Sequence, residues 1–399
     1  MRNVRRVAIV GPLVDLSVCP SVTSSLRMWI RNNYFVDYIA IKAMAEYKRF
    51  LPFFKDEKMC VYIIPMRIRK INVPILGGMI NILGLIISSF RHCKGKRYEC
   101  FIGFDPLGLT VATALGRLSN TPVIYHSLEL TFSSDAKTLS EKLYKMLERW
   151  CNKRAAYTIT QDEARAKCLI EDNNIINEKI LIVPNTYLQE GKIVRNRYLR
   201  EILDISEDKK IILHVGGLIW YNMVPELISS VPTWPENCVL VLHGWVRRGT
   251  EKGDYLGYLG YLRELTEGSG LYNKRIFFST DVLPQEDLDK MVSSADIGIA
   301  LYHNVNLNFY NMASGKLFQY LKCSLPVITI DFPSLKKVVE DNCCGICIND
   351  KNEIAEAIRK ILSNYETFSS NARKCFEEKY EFSRFYQNVI EKVSNLRTQ

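Results

Sequence analysis

Ser314, Gly315 and Lys316 lie on a short polar turn, Asn311-Met-Ala-Ser-Gly-Lys316, that runs directly into Leu317-Phe-Gln-Tyr-Leu321 and then into the apolar stretch Leu325-Pro-Val-Ile328. A turn that opens a helix leaves backbone N–H groups without partners, and the helix dipole adds partial positive charge there. With the Lys316 ammonium alongside, the arrangement suits a diphosphate. Gly315 lets the backbone approach such a ligand closely. Leu317, Tyr320 and Leu321 continue the buried face, while Gln319 is expected to point back toward the ligand mouth and Asn311 opens the block.

Other residues could share this chemistry. Gly216 and Gly217 end the apolar run Leu213-His-Val215, and His243-Gly244 ends Val241-Leu242, so each admits phosphate or sugar next to the backbone. Tyr302 closes the apolar run before the polar turn, and Gly11 closes the opening strand Val7-Ala-Ile-Val10. Three side chains suit work on a hydroxyl acceptor. His126 can hydrogen-bond a sugar or stabilise developing charge. Glu129 can orient the hydroxyl or take its proton, and Asp105 can make a polar contact or cap the helix that Pro106 begins.

Elements that position these residues follow from periodicity. Short apolar runs at 60–64, 100–104, 122–126, 156–160, 210–215, 241–244, 275–279, 295–302, 326–330 and 345–348 alternate with amphipathic helical stretches such as 107–118, 137–154, 284–294, 334–341 and 352–362. Such alternation predicts α/β architecture with doubly wound parallel sheets, whose ligands bind outside the carboxyl ends of the strands. The Ser- and Thr-rich stretch 12–25 is expected to be a covering loop.

In their order and spacing these motifs resemble a GT-B nucleotide-sugar glycosyltransferase of the retaining family-four type, over nearly the whole chain. The resemblance implies two Rossmann-like doubly wound domains facing a central cleft. Residues 1–185 would bind acceptor, with the C-terminal helix 380–399 packing back on them, and residues 186–379 would bind a nucleotide-sugar donor. It also implies sugar transfer with retention and without a metal or other cofactor. Two glutamates of that family stand here as Asn311 and Gln319, amides that can still hydrogen-bond a ribose hydroxyl but lack a carboxylate's strength. The Arg and Lys often found after the second domain's first strand are replaced by Trp220, Tyr221 and Asn222, which leaves Lys316 as the main cation.

Composition fits that reading. The chain has 399 residues, 47% of them hydrophobic, enough for two cores. Arg2, Arg5 and Arg6 lead straight into a strand, which predicts a Rossmann-type opening rather than a leader. Twelve scattered cysteines read as reduced thiols, and Cys343, Cys344 and Cys347 lack the second pair or histidines that a zinc site needs. Charge is uneven: residues 1–185 hold 27 Lys+Arg against 16 Asp+Glu, a net of +11, while the remainder holds 26 against 27, a net of −1.

In the basic half, Arg67, Arg69 and Lys70 precede the uncharged run 73–90, and Arg91, Lys94, Lys96 and Arg97 follow it. Pro74, three glycines, Asn81 and two serines argue against a spanning helix. A sheet-covering helix and a helix docking on an anionic membrane through residues 66–97 both remain open. No aromatic spacing or motif supports nucleic-acid binding. The expectation is a cytoplasmic transferase, peripheral at the inner membrane face, moving a sugar to a lipid-linked or surface glycan. A GT-B epimerase and a catalytically silent sugar-nucleotide or glycan-binding subunit are the alternatives.

Overall fold

The computed structural model describes residues 5–12, 19–42, 56–65, 74–244, 255–281 and 283–396. They form two compact units, Met1–Asn185 with Phe382–Gln399, and Thr186–Glu381.

The first unit is built on a seven-stranded sheet: β1 (Arg6–Pro12), β2 (Phe35–Lys42), β3 (Met59–Pro65), β4 (Phe101–Phe104), β5 (Val123–His126), β6 (Tyr157–Thr160) and β7 (Ile180–Ile182). Their order is β3-β2-β1-β4-β5-β6-β7, and every pairing is parallel. The second unit holds β8 (Lys210–Val215), β9 (Cys238–His243), β10 (Ile276–Ser279), β11 (Ile297–Ala300), β12 (Val327–Ile330) and β13 (Gly345–Ile348) in the order β10-β9-β8-β11-β12-β13, again all parallel. Both are doubly wound, and the strand order reverses between β1 and β4 in one and between β8 and β11 in the other. Ligands of such sheets bind at the carboxyl ends beside these reversals.

Local chemistry explains the helices. Leu139–Asn152 begins with a capping box between Thr138 and Glu141, and Glu163–Asn173 is capped by Asp162. Asp105–Ser119 starts with Pro106 in its first turn and stops at Asn120, which takes a left-handed conformation. Ser383–Asn395 belongs to the first unit, where Trp29 Nε1 donates to Tyr386 Oη at 3.1 Å.

One expectation is corrected. Residues 20–31 form a helix, Pro20–Arg31, that buries Ser21, Ser24 and Ser25, rather than part of a covering loop. Pro at its first turn supplies the start, and the serines sit on its packed side. Residues 13–18 of that stretch lie outside the described residues, as do Arg67, Arg69 and Lys70 of the basic run.

The uncharged run becomes the helix Pro74–Cys93, and no helix among the described residues is long and apolar enough to cross a membrane. None of the twelve cysteines is joined in a disulfide.

Candidate functional site

In the second unit, the helix Gly315–Lys322 packs beneath the reversal between β8 and β11. Tyr320, fully buried, ties the parts together: its hydroxyl accepts from Val215 N at 2.9 Å and donates to Ile299 O at 3.1 Å. Its ring lies against Gly298, where a Cβ would come within 2.2 Å of it, so only glycine lets this helix seat.

The N-terminus of that helix carries the expected turn. Ser314 caps it, accepting from Leu317 N at 3.3 Å, and its hydroxyl is 2.6 Å from Tyr302 Oη. Lys316 reaches back toward Gly216. A Cβ on Gly216, whose φ is +120°, would meet Lys316 Cε at 2.7 Å, and Lys316 Nζ lies 4.8 Å from the centre of the Tyr302 ring. Nζ is buried and has no hydrogen-bond partner among the described residues, and burial lowers its pKa to about 7. An ammonium desolvated and unpaired in this way is costly, and an anion beside it would remove the cost.

Gly216, Gly217 and Gly244 crowd against the same corner. Gly216 N donates to His243 O at 2.9 Å, and a Cβ on Gly244 would fall 1.7 Å from Gly216 O. Gly217 O accepts from Asn222 Nδ2 at 2.5 Å. His243 is buried against Ser279, Nδ1 to Oγ 3.0 Å, and burial lowers its pKa to about 4, so it is a neutral structural imidazole. His214, also buried, is kept neutral by burial and then by the charge of Lys316.

One sequence expectation changes here. Gln319 does not face a ligand mouth: it is buried, its Nε2 donates to Asp289 Oδ1 at 2.7 Å, and its Oε1 accepts from Gln285 at 3.1 Å. Lys322 joins the same carboxylate at 2.7 Å. Asp289 thus anchors the helix and leaves no free amide for a ribose; a glutamate at 319 would put two carboxylates in contact. Asn311 ends the short helix Leu307–Tyr310 and donates from Nδ2 to Leu307 O at 3.0 Å.

In the first unit, the reversal lies between β1 and β4. A Cβ on Gly11 would come 3.1 Å from Tyr38 Oη and 3.4 Å from Phe104 Cβ, so this glycine serves close packing. Asp105, just past β4 and at φ +55°, accepts from Leu128 N at 2.8 Å and Glu129 N at 3.1 Å. Burial raises its pKa to about 7 against the pull of these N–H groups. It therefore holds the loop after β5.

Arg165 adds a hydrogen bond to Leu128 O at 2.6 Å, and Gln161 one to Ser127 O at 2.6 Å. Glu129 stands exposed on that braced loop. His126 is corrected from an accessible sugar contact to a fully buried ring stacked on Phe104 at 4.4 Å, with both nitrogens unpartnered among the described residues and its pKa lowered to about 3 by burial.

Sequence reasoning missed the bracing role of Arg165 and Gln161, and the pairing of Trp220 with His303. Their rings stack at 5.8 Å, and His303 Nε2 is 3.0 Å from Glu226 Oε1, on loops following β8 and β11. Only the strand order brings these loops together.

Comparison with known proteins bears on the second unit first. Residues 196–377 match the family model of glycosyl transferases group 1. That match lies within the second unit and covers less than half of the chain. The chain is 21% identical over 268 residues to a chitobiosyldiphosphodolichol beta-mannosyltransferase of Candida albicans, covering 64% of this chain and 56% of that relative. The chain thus spans a little over half of that relative's length.

Among solved structures, HepE of Anabaena, determined with UDP and glucose, superposes with a TM-score of 0.72 at 14% identity, covering 98% of this chain and 100% of that one. Sucrose-phosphate synthase of Thermosynechococcus elongatus gives 0.72 at 15% identity, covering 99% of each. These likenesses show the fold, which is GT-B.

Proposed function

We propose that the protein transfers a sugar from a nucleotide-sugar donor to a hydroxyl of a lipid-linked or surface-glycan acceptor, with retention and without a metal. The observation that carries this reading is the buried, unpartnered Lys316 ammonium beside Gly216 at the N-terminus of Gly315–Lys322. A departing diphosphate gains most from charge and N–H groups already aimed at it and already desolvated. In that role Lys316, the turn amides of Gly315 and Lys316, and the open backbone at Gly216 and Gly217 take the pyrophosphate. Ser314 and Tyr302 hold the turn in place. The mannosyltransferase name of one relative and the UDP-bound structure of another support a sugar-nucleotide donor.

Glu129 is assigned to the acceptor hydroxyl. Its loop is fixed by Asp105, Gln161 and Arg165, while its own side chain is exposed. Glu129→Gln is expected to lower kcat by about 10²-fold or more with the donor Kd unchanged. An unchanged kcat removes it from the chemistry.

A membrane-borne acceptor fits the helix Pro74–Cys93. Met79, Ile80, Leu83, Ile87 and Phe90 are exposed along one stripe, and Arg91, Lys94, Lys96 and Arg97 stand at its C-terminal end. Wild-type protein should sediment with vesicles containing anionic lipid and not with neutral ones. Leu83→Asp with Ile87→Asp should weaken this at least about tenfold.

The function itself is tested by nucleoside diphosphate release from a panel of sugar nucleotides, with and without membrane lipid extract. Release that depends on the extract, with sugar recovered in lipid, supports the transferase. Release independent of any acceptor supports an epimerase or hydrolase, and binding without release supports a silent subunit.

A further inference from the structure

At the amino-terminal edge of the first unit's sheet, away from the carboxyl-end loops of Asp105 and Glu129, three chemically different side chains converge. Asp37 on β2 and Cys60 on β3 are register partners, so they project from the same side of the sheet. His92, in the last turn of Pro74–Cys93, lies over them, its ring stacked on Tyr62 at 4.3 Å and 10°. One ligand atom from each of Asp37, Cys60 and His92 lies within 4.8 Å of the others. His92 Nε2 and Asp37 Oδ1 are already 3.5 Å apart.

A positive charge occupies this corner. Lys96 Nζ is 3.1 Å from His92 Nε2 and 3.3 Å from Asp37 Oδ1. The other carboxylate oxygen is held by Arg6 at 3.0 Å and by the Tyr98 hydroxyl at 2.7 Å, contacts that fix the carboxylate without using the Oδ1 side. Lys96 itself is part-exposed at 29% and can turn to water without being stranded.

We propose that Asp37, Cys60 and His92 form a site for a zinc-class divalent cation, with water as fourth ligand and the Lys96 ammonium as its built-in competitor. Carboxylate, thiolate and imidazole are the ligand set that tetrahedral zinc accepts at about 2.0–2.3 Å. Reaching it requires the outermost ligand atoms to close by about 1 Å, which the exposed Cys60 can supply. On binding, the Cys60 thiol loses its proton to solvent, Lys96 leaves with its proton retained, and carboxylate and thiolate together neutralise the ion. The ion ties the end of Pro74–Cys93 to β2 and β3. It is structural or regulatory, because it sits at the sheet edge opposite the catalytic candidates.

Cobalt(II) is the probe. Titration of the full chain with Co2+ should develop a thiolate-to-cobalt charge-transfer band that saturates at one equivalent and is reversed by Zn2+. Cys60→Ser, a change at an exposed position, should abolish the band while circular dichroism stays unchanged. Lys96→Ala should bind Co2+ about three- to tenfold tighter, because the competing ammonium is gone. No band, a band that survives Cys60→Ser, or unchanged or weaker binding by Lys96→Ala each overturns the proposal.

Discussion

Lys316→Ala is expected to weaken binding of the nucleotide-sugar donor by about 10- to 150-fold, the equivalent of about 1.5–3 kcal/mol for a hydrogen bond to a charged group. In the free protein the same change should be neutral or stabilising, because it removes a buried ammonium with no hydrogen-bond partner among the described residues. Weaker ligand binding together with an undamaged fold distinguishes a ligand-binding lysine from a structural one. Isothermal calorimetry with the donor and thermal unfolding without it check both halves. Wild-type affinity would remove Lys316 from the site.

The lowered pKa of Lys316 adds a pH signature. Folded, the group titrates near 7; unfolded, near 10.5. Below about pH 7 both states carry the proton and the folded state bears the whole cost of a buried charge. Between about 7 and 10.5 the unfolded chain binds more protons, so the stability of the ligand-free protein rises with pH through that window. Donor binding runs the other way. A diphosphate favours the charged form, so above pH 7 binding must take up a proton, and affinity should fall by up to about tenfold per pH unit. Lys316→Ala should flatten this component of both slopes.

Gly244→Ala is the second large effect. The new methyl would sit 1.7 Å from Gly216 O and 2.8 Å from Gly216 C. Both partners are backbone at the ends of adjacent strands, so no side chain can swing aside. The strand ends must part, at a cost on the order of 3 kcal/mol or more. For a unit of nearly 200 residues that lowers Tm by about 6–12 °C.

Because the displaced turn is the one that meets Lys316, donor affinity should fall with it. Gly260→Ala is the control. It lies within the helix Tyr255–Gly268 with nothing within 4 Å of the added methyl, and should be neutral or stabilising by up to about 1 kcal/mol. Equal behaviour of the two variants would mean that the contact between Gly216 and Gly244 carries no strain.

The alternation of strand and helix was legible from residue order alone, because a period of 2 or 3.6 in apolar residues is a local property of the chain. So was the turn at Ser314, Gly315 and Lys316, where a cap, a glycine and a cation are contiguous. The helix Pro20–Arg31 was not, since its buried serines carry the composition of a loop and only packing against neighbouring elements puts them inside.

What sequence could not decide were the partners met across long separations. Asp289, thirty residues from Gln319, turns an apparent ribose ligand into a helix anchor. Phe104 and the strands around β5 bury His126, and Asp105 and Arg165 fix the loop of Glu129 from opposite sides in sequence. Residue type states what a side chain can bond to; which groups lie within 3 Å of it is set by strand order and register, which bring together residues that no local pattern relates.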